Sequence, residues 1–389
     1  MKKIFAFVLS LILVVGISVP VEATVRVSNE AQTVGNQLAE VIDLIMTRYK
    51  GSPVTTGDLV EAALRGMTDI LDQYSVYLSA EELAQFTASM AGRMMGIGVS
   101  MLTREDGRIE IARVLPDTPA EMAGVQPGDI IVSIDGENVE GQPMDAIRAL
   151  ILNPDNDRVL ISFEREGNIV TFDIQKADIH SPTVLVDRLE ILPEADGLGD
   201  SLHNFRLLQI SSVSRATGSD LRRAINQMQA EGVQGIILDL RGNTGGYLDV
   251  TIDIANQLIP AGVVLQTVNQ SGRRRTYSSI LQEVPFDNIV VLVNRFTASA
   301  AEVIASALQD ANAATIIGEQ TFGKGMVQSV YGLGTGGALM LTTEEYFRRN
   351  GGTINDIGVL PCVFVERRIG PDEPDYVLYR GLQILLGAV

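Results

Sequence analysis

The chain has 389 residues, 46% of them hydrophobic, enough for two or three cores at roughly 100 to 200 residues per domain. A total of 30 Lys plus Arg against 48 Asp plus Glu leaves a formal net charge of −18, which disfavours a general phosphate-binding surface, so no nucleic-acid partner is expected. The single cysteine, Cys362, closes no disulfide within the chain, and with only His180 and His203 a four-ligand Cys/His zinc cluster is excluded; no metal and no cofactor are expected.

The chain opens with Lys2 and Lys3, an apolar run over 4–19, Pro20 and the small-residue site Val21-Glu22-Ala23, the pattern of an export signal over residues 1–23. The run is short for the roughly 20 apolar residues of a bilayer span. Cleavage after Ala23 and retention as an N-terminal anchor both put the bulk of the chain outside the cytoplasm, in the periplasm, the cell envelope or the extracellular side. Residues 24–91 carry apolar positions at helical spacing, Leu38, Val41, Ile42 and Ile45, then Leu59, Ala62, Ala63, Met67, Ile70 and Leu71, and predict a packed helical arm. Residues 92–178 change to short alternating strands at 97–101, 109–114, 129–134, 159–164 and 169–174, with one helix at 144–152. Within 179–370 strands and helices alternate: buried runs at 235–240, 289–293 and 315–317, helices at 220–231, 248–258 and 299–310, and an antiparallel pair at 263–267 and 274–278. A last helix at 375–386, within a C-terminal segment of 371–389, ends in Ala388-Val389.

In the small β segment, the glycines of Gly96-Ile97-Gly98-Val99 either permit a tight turn or aim backbone N–H groups at one point, a concavity suited to a carboxylate. With the Ala-Glu-Met-Ala-Gly-Val-Gln-Pro-Gly-Asp run of 120–129 and the strand 130–135 followed by Gly136, this segment resembles a PDZ domain. The resemblance implies a partly open β-barrel that takes a C-terminal peptide as an added strand, between the strand led by Gly96, Ile97, Gly98 and Val99 and the helix bearing Ile147, Leu150 and Ile151. That lining favours apolar C-termini. Arg165 is a candidate sensor of the bound peptide.

Three further segments carry candidate chemistry. Residues 318–325, Gly-Glu-Gln-Thr-Phe-Gly-Lys-Gly, come within one residue of a phosphate-binding loop, but the strand-like 326–331 follows where a helix would have to open. The glycine run 332–337 likewise precedes an alternating strand and predicts a hairpin loop. Lys324 can instead serve as a base if burial lowers its pKa by roughly 2 to 3 units. Upstream, Ser299 stands directly after a buried strand at a helix start, where free N–H groups favour an oxyanion, although Ser299 with Glu302 also reads as a plain capping box. No Gly-x-Ser-x-Gly elbow is present and neither histidine sits in a motif. Asp239-Leu240-Arg241-Gly242-Asn243-Thr244-Gly245-Gly246 lies between a buried strand and a helix, so its glycines can aim N–H groups at developing negative charge.

Taken in order with Leu71-Asp72-Gln73-Tyr74-Ser75-Val76-Tyr77-Leu78, these segments closely resemble the carboxy-terminal processing peptidases over essentially the whole mature chain. The resemblance implies a multidomain α+β fold: an N-terminal helical arm, a PDZ domain and an α/β, crotonase-like peptidase core. It implies Ser299 as nucleophile, Lys324 as general base, Gln328 as the third member that orients the lysine, and oxyanion donors at the N–H groups of Gly245 and Ala300. The implied activity is that of an exported serine endopeptidase acting near the apolar C-terminal tails of polypeptide substrates. Thr244, Thr297 and Cys362 depart from the family's pattern, and Thr244 bears on the oxyanion loop. A homodimer through the helical arm and C-terminal region, and membrane association through a retained N-terminal segment, are compatible with the sequence.

Overall fold

The computed structural model describes residues 28–91, 93–104, 106–153, 156–180, 182–189, 200–334, 336–366 and 375–387. The export signal expected at 1–23 and the Ala388-Val389 terminus lie outside the described residues, among which no helix is long and apolar enough to cross a membrane. Helix α1 (Asn29–Arg48) starts at Ser28, whose hydroxyl accepts the Ala31 N–H, and α2 (Thr56–Asp69) starts in a reciprocal capping box between Thr55 and Asp58. The packed arm expected here is only partly found: α1 buries no side chain, and Val41 and Leu44 are exposed. Strand β1 (Val76–Leu78) and α3 (Ala80–Met90) are anchored instead, with Leu78 and Phe86 inside the main core.

Residues Ala91–Ser181 form a compact unit of their own. It contains β2 (Arg93–Gly96), β3 (Val99–Thr103), β4 (Ile109–Val114), α4 (Pro119–Ala123), β5 (Ile130–Ile134), β6 (Glu137–Asn138), α5 (Met144–Ile151), β7 (Arg158–Arg165), β8 (Asn168–Gln175) and β9 (Ala177–His180). Its main sheet runs β3-β4-β5-β7-β8 with β6 on β5, while β2 pairs with β9. Alternate residues, such as Val159, Ile161 and Phe163, enter one core. The strand predicted at 97–101 begins only at Val99, as β3, after a break from β2. The cause is Gly98, whose φ of 90° turns the chain beside Thr118; a Cβ there would sit 2.3 Å from the Thr118 Cβ. Among the described residues, strand β3 lies at the sheet edge and pairs with β4.

The rest of the described chain is a second compact unit, to which the helical arm belongs. It continues with β10 (Val184–Arg188), β11 (Phe205–Ile210), α6 (Thr217–Ala230), β12 (Gly235–Asp239), α7 (Leu248–Leu258), β13 (Gly262–Asn269), β14 (Arg274–Ser279), β15 (Asn288–Val293), α8 (Ala300–Asp310), β16 (Thr315–Gly318), β17 (Met326–Gly332), β18 (Ala338–Arg348), β19 (Val363–Phe364) and α9 (Tyr376–Leu385). One sheet runs β10-β11-β12-β15-β16-β19, parallel from β11 onward. Both its faces are covered. Ile236, Leu238, Val291 and Val293 pack with α6, α7 and α8, whereas Ile237, Val290 and Leu292 pack with Val377, Leu378 and Leu382 of α9. The second sheet, β1-β18-β13-β14 with β17 on β18, is antiparallel, and β17 and β18 form the hairpin predicted at the glycine run.

Leu292 is fully buried between β15 and α9, where Gly381 allows close approach. Leu292→Ala is expected to cost about 3 kcal/mol of unfolding free energy. A urea titration with an unchanged midpoint would contradict this packing.

Candidate active site

The nucleophile candidate sits where β15 gives way to α8. Thr297 Oγ1 donates to the Leu240 carbonyl at 2.9 Å and accepts the Asn294 N–H at 3.0 Å, tying this turn to the end of β12. The departure to threonine at 297 therefore keeps a working hydroxyl. Ser299 follows with φ 58° and ψ −120°, a backbone region that side-chain-bearing residues rarely adopt. It is fully buried, and its Oγ is without a hydrogen-bond partner in the structure. The expected capping box with Glu302 is found, with the Ser299 N–H donating to Glu302 Oε2 at 2.8 Å.

Glu302 does more than cap the helix. Its Oε1 accepts the Thr321 hydroxyl at 2.5 Å and the Gly323 N–H at 2.7 Å, and its Oε2 accepts the Lys324 N–H at 2.9 Å beside the bond from Ser299. Burial pushes the carboxyl up from its usual range, and these four donors oppose that rise because they match its charged form. One carboxylate thereby joins the backbone of the serine to the turn of the lysine. Tyr346, fully buried on β18, adds a second tie: its hydroxyl donates to the Lys324 carbonyl and lies 3.2 Å from that of Ser299.

Lys324 is itself fully buried, in the turn between β16 and β17. Burial drives its amine down to about 7, against the opposing pull of Asp72 and Glu302. Its Nζ lies 4.5 Å from the centroid of the Tyr74 ring. An amine titrating there is largely a free base just above neutral pH, the condition a lysine base requires. Because β17 follows directly, residues 318–325 open no helix and offer no phosphate cradle. Gln328 is buried on β17; its Nε2 donates to Thr342 Oγ1 at 3.1 Å, and its Oε1 has no partner in the structure.

The glycine loop packs onto the serine. A Cβ on Gly245, whose φ is 99°, would lie 2.8 Å from the Ser299 Cβ and 2.9 Å from the Ala300 nitrogen. Only glycine allows that approach. The Gly245 N–H donates to Asn243 Oδ1 at 2.9 Å, and Asn243 Nδ2 donates to the Ile210 carbonyl at 2.8 Å. Ala300 is the first residue of α8, so its N–H has no carbonyl within the helix to bond. Arg241 anchors the loop, donating to Asp239 and to Asp375 at the start of α9.

The structure thus packs Gly245 against Ser299 and Ala300 and joins the Lys324 backbone to that of Ser299 through Glu302, with Gln328 buried on the strand after the lysine. Sequence reasoning took Glu302 only as a cap and singled out neither Tyr346 nor Thr342. Asp72 and Tyr74 were visible as parts of a motif without a role. In the separate unit, Val99 and Leu150 are partly exposed, whereas Ile97, Ile147 and Ile151 are buried in the core and Gly96 lies in β2. Arg165 is spent within that unit, pairing with buried Asp129 through two bonds of 2.7 Å and with the Gly124 carbonyl at 2.8 Å.

The model for peptidase family S41 matches residues 205–365, and a PDZ-domain model matches residues 110–165. The sequence is 33% identical to the carboxy-terminal-processing protease of Bartonella bacilliformis, over 99% of this chain and 86% of that protein. It is 28% identical to the carboxy-terminal processing protease CtpB of Bacillus subtilis, over 94% and 73%. Among solved structures, a photosystem II D1 C-terminal processing protease superposes with a TM-score of 0.52 at 27% identity, covering 92% of this chain and 98% of that one. The chain belongs to peptidase family S41, among the carboxy-terminal processing proteases, and carries a PDZ domain.

Glu302→Gln places an amide N–H₂ against N–H donors whichever way it is turned. Thermal unfolding is expected to show a loss of about 2 kcal/mol or more, and peptide hydrolysis a fall in kcat of about a hundredfold as serine and lysine separate. An unchanged kcat would contradict the joining role.

Proposed function

We propose that the protein is an exported serine endopeptidase that holds apolar C-terminal tails on its PDZ domain and hydrolyses the tethered chain nearby. The observation that carries this reading is the fully buried Lys324, titrating at about 7, in a turn fastened through Glu302 to the backbone of a serine with an unengaged hydroxyl. Neutral Lys324 takes the Ser299 Oγ proton as Oγ attacks the scissile carbonyl carbon. The carbonyl oxygen becomes an oxyanion, received by the N–H groups of Ala300 and Gly245. Because the Gly245 N–H is bonded to Asn243 Oδ1, that bond is exchanged for the oxyanion during acylation. The lysine ammonium then gives its proton to the leaving amine nitrogen, the C–N bond breaks, and an ester on Ser299 remains. The same lysine then takes a proton from water as the water oxygen attacks the ester carbonyl carbon; the C–Oγ bond breaks, and the lysine ammonium gives its proton to Oγ. Gln328 orients the lysine.

For the tail, the open edge of β3 supports strand addition beside α5, with Gly98 bending the chain at the head of the groove and Val99 and Leu150 offering apolar contacts. Tethering raises the local concentration of the scissile segment, so weak tail binding suffices. Export rests on the N-terminal pattern of charge, apolar run and Ala23.

The test is cleavage of an unfolded reporter bearing an apolar C-terminal tail. Ser299→Ala and Lys324→Ala should each abolish cleavage while tail binding persists. Unchanged cleavage in both variants would overturn the assignment. A wild type that binds the tail and never cuts would mark a tail-binding adaptor instead.

A further inference from the structure

Asp72 lies far outside the residues matched by the peptidase family model, yet its turn reaches the interior beside the lysine. Asp72 Oδ1 accepts the Thr342 hydroxyl at 2.9 Å, and Thr342 Oγ1 accepts Gln328 Nε2 at 3.1 Å. The direction of this chain is fixed from one end. An ionised carboxylate only accepts, so the Thr342 proton points to Asp72 and the Thr342 lone pair takes the amide N–H₂ of Gln328. The Gln328 carbonyl is consequently turned the other way, which is why Oε1 is buried without a partner.

The turn also keeps Asp72 ionised. Burial alone would raise its carboxyl, but bonds from Ser75 Oγ at 2.7 Å, the Tyr74 N–H at 2.8 Å and Thr342 hold it below the usual range. Ser75 Oγ further accepts the Thr342 N–H at 3.0 Å, docking the turn on β18 through its backbone. Pairing of β1 with β18, from Val76 opposite Met340 to Leu78 opposite Ala338, fixes the same register. Two residues beyond Asp72, the Tyr74 ring faces the Lys324 ammonium.

We propose that Asp72 and Thr342 are positioning residues for the lysine base: their relay orients Gln328 so that its carbonyl oxygen receives a Lys324 N–H, leaving the amine lone pair for Ser299. This inference rests on the Ser–Lys reading above. Among the described residues, groups that act on Lys324 include Asp72 and Tyr74 from the arm, Glu302 from α8 and Tyr346 from β18. Of these, Asp72 alone couples to both the charge of the lysine and the orientation of Gln328.

The experiment measures kcat against pH with the full chain and an internally quenched peptide, beside thermal unfolding of each variant. Thr342→Val keeps the side-chain shape and breaks the relay; kcat is expected to fall about tenfold with the acid limb unmoved, and Thr342→Ser to restore it. Asp72→Asn removes the charge, so the ammonium loses support and the acid limb should move to lower pH. The shifted limb in Asp72→Asn and the recovery in Thr342→Ser differ from a purely structural role, which lowers thermal stability and leaves the limb in place. Wild-type kcat in Thr342→Val, or an unmoved limb in Asp72→Asn, would overturn the relay. Ser299→Ala measured alongside separates the two levels: cleavage persisting there defeats the Ser–Lys reading, whereas its loss together with unaltered Thr342 and Asp72 variants defeats only the relay.

Discussion

Keeping the Lys324 amine out of water is the constraint on which the rest of the site depends. Taking its pKa from 10.5 to about 7 corresponds to roughly 5 kcal/mol of disfavoured charge. No exposed turn could sustain that. The cost is offset by a core in which Val327, Tyr346 and Ala300 are all fully enclosed around the lysine turn. The site is therefore a property of the packed unit rather than of a surface cleft with reactive groups added. Destabilising the core near β17 and β18 would rehydrate the amine and silence it before the chain unfolds.

A single buried carboxylate makes serine and lysine one object. Ser299 comes from the end of a parallel strand and Lys324 from the turn leading into an antiparallel sheet, so small shifts between the sheets would separate them. Glu302 prevents this by binding the backbone N–H groups of both. The holding is done by the main chain of both residues rather than by their side chains. The same economy governs the loop 241–246, where Asn243 and Arg241 fasten the backbone and Gly245 approaches the serine.

Much of the fold was legible because β12 and β15 are covered on both faces and so read as continuous apolar runs. A tight turn at Gly96 and Gly98 was legible as one alternative, but its place at Gly98 was not, since that depends on Thr118 lying against it. Periodicity also could not separate groove from core at Ile97, Ile147 and Ile151, because the same apolar spacing serves both. At the site, Ser299 and Glu302 spelled a helix cap, and what distinguishes a nucleophile from a cap is a φ of 58° and a lysine turn from another sheet. Asp72 and Thr342 were hidden for a simpler reason: their bond spans 270 residues and leaves no local pattern.

The most direct measurement is the titration of Lys324 itself, by the ¹³Cε shift of labelled lysine in a Ser299→Ala background, with Lys324→Met to assign the signal. The mechanism requires a midpoint of about 7. A midpoint near the 10.4 of an amine in water would leave the lysine charged at working pH and contradict its role as the base.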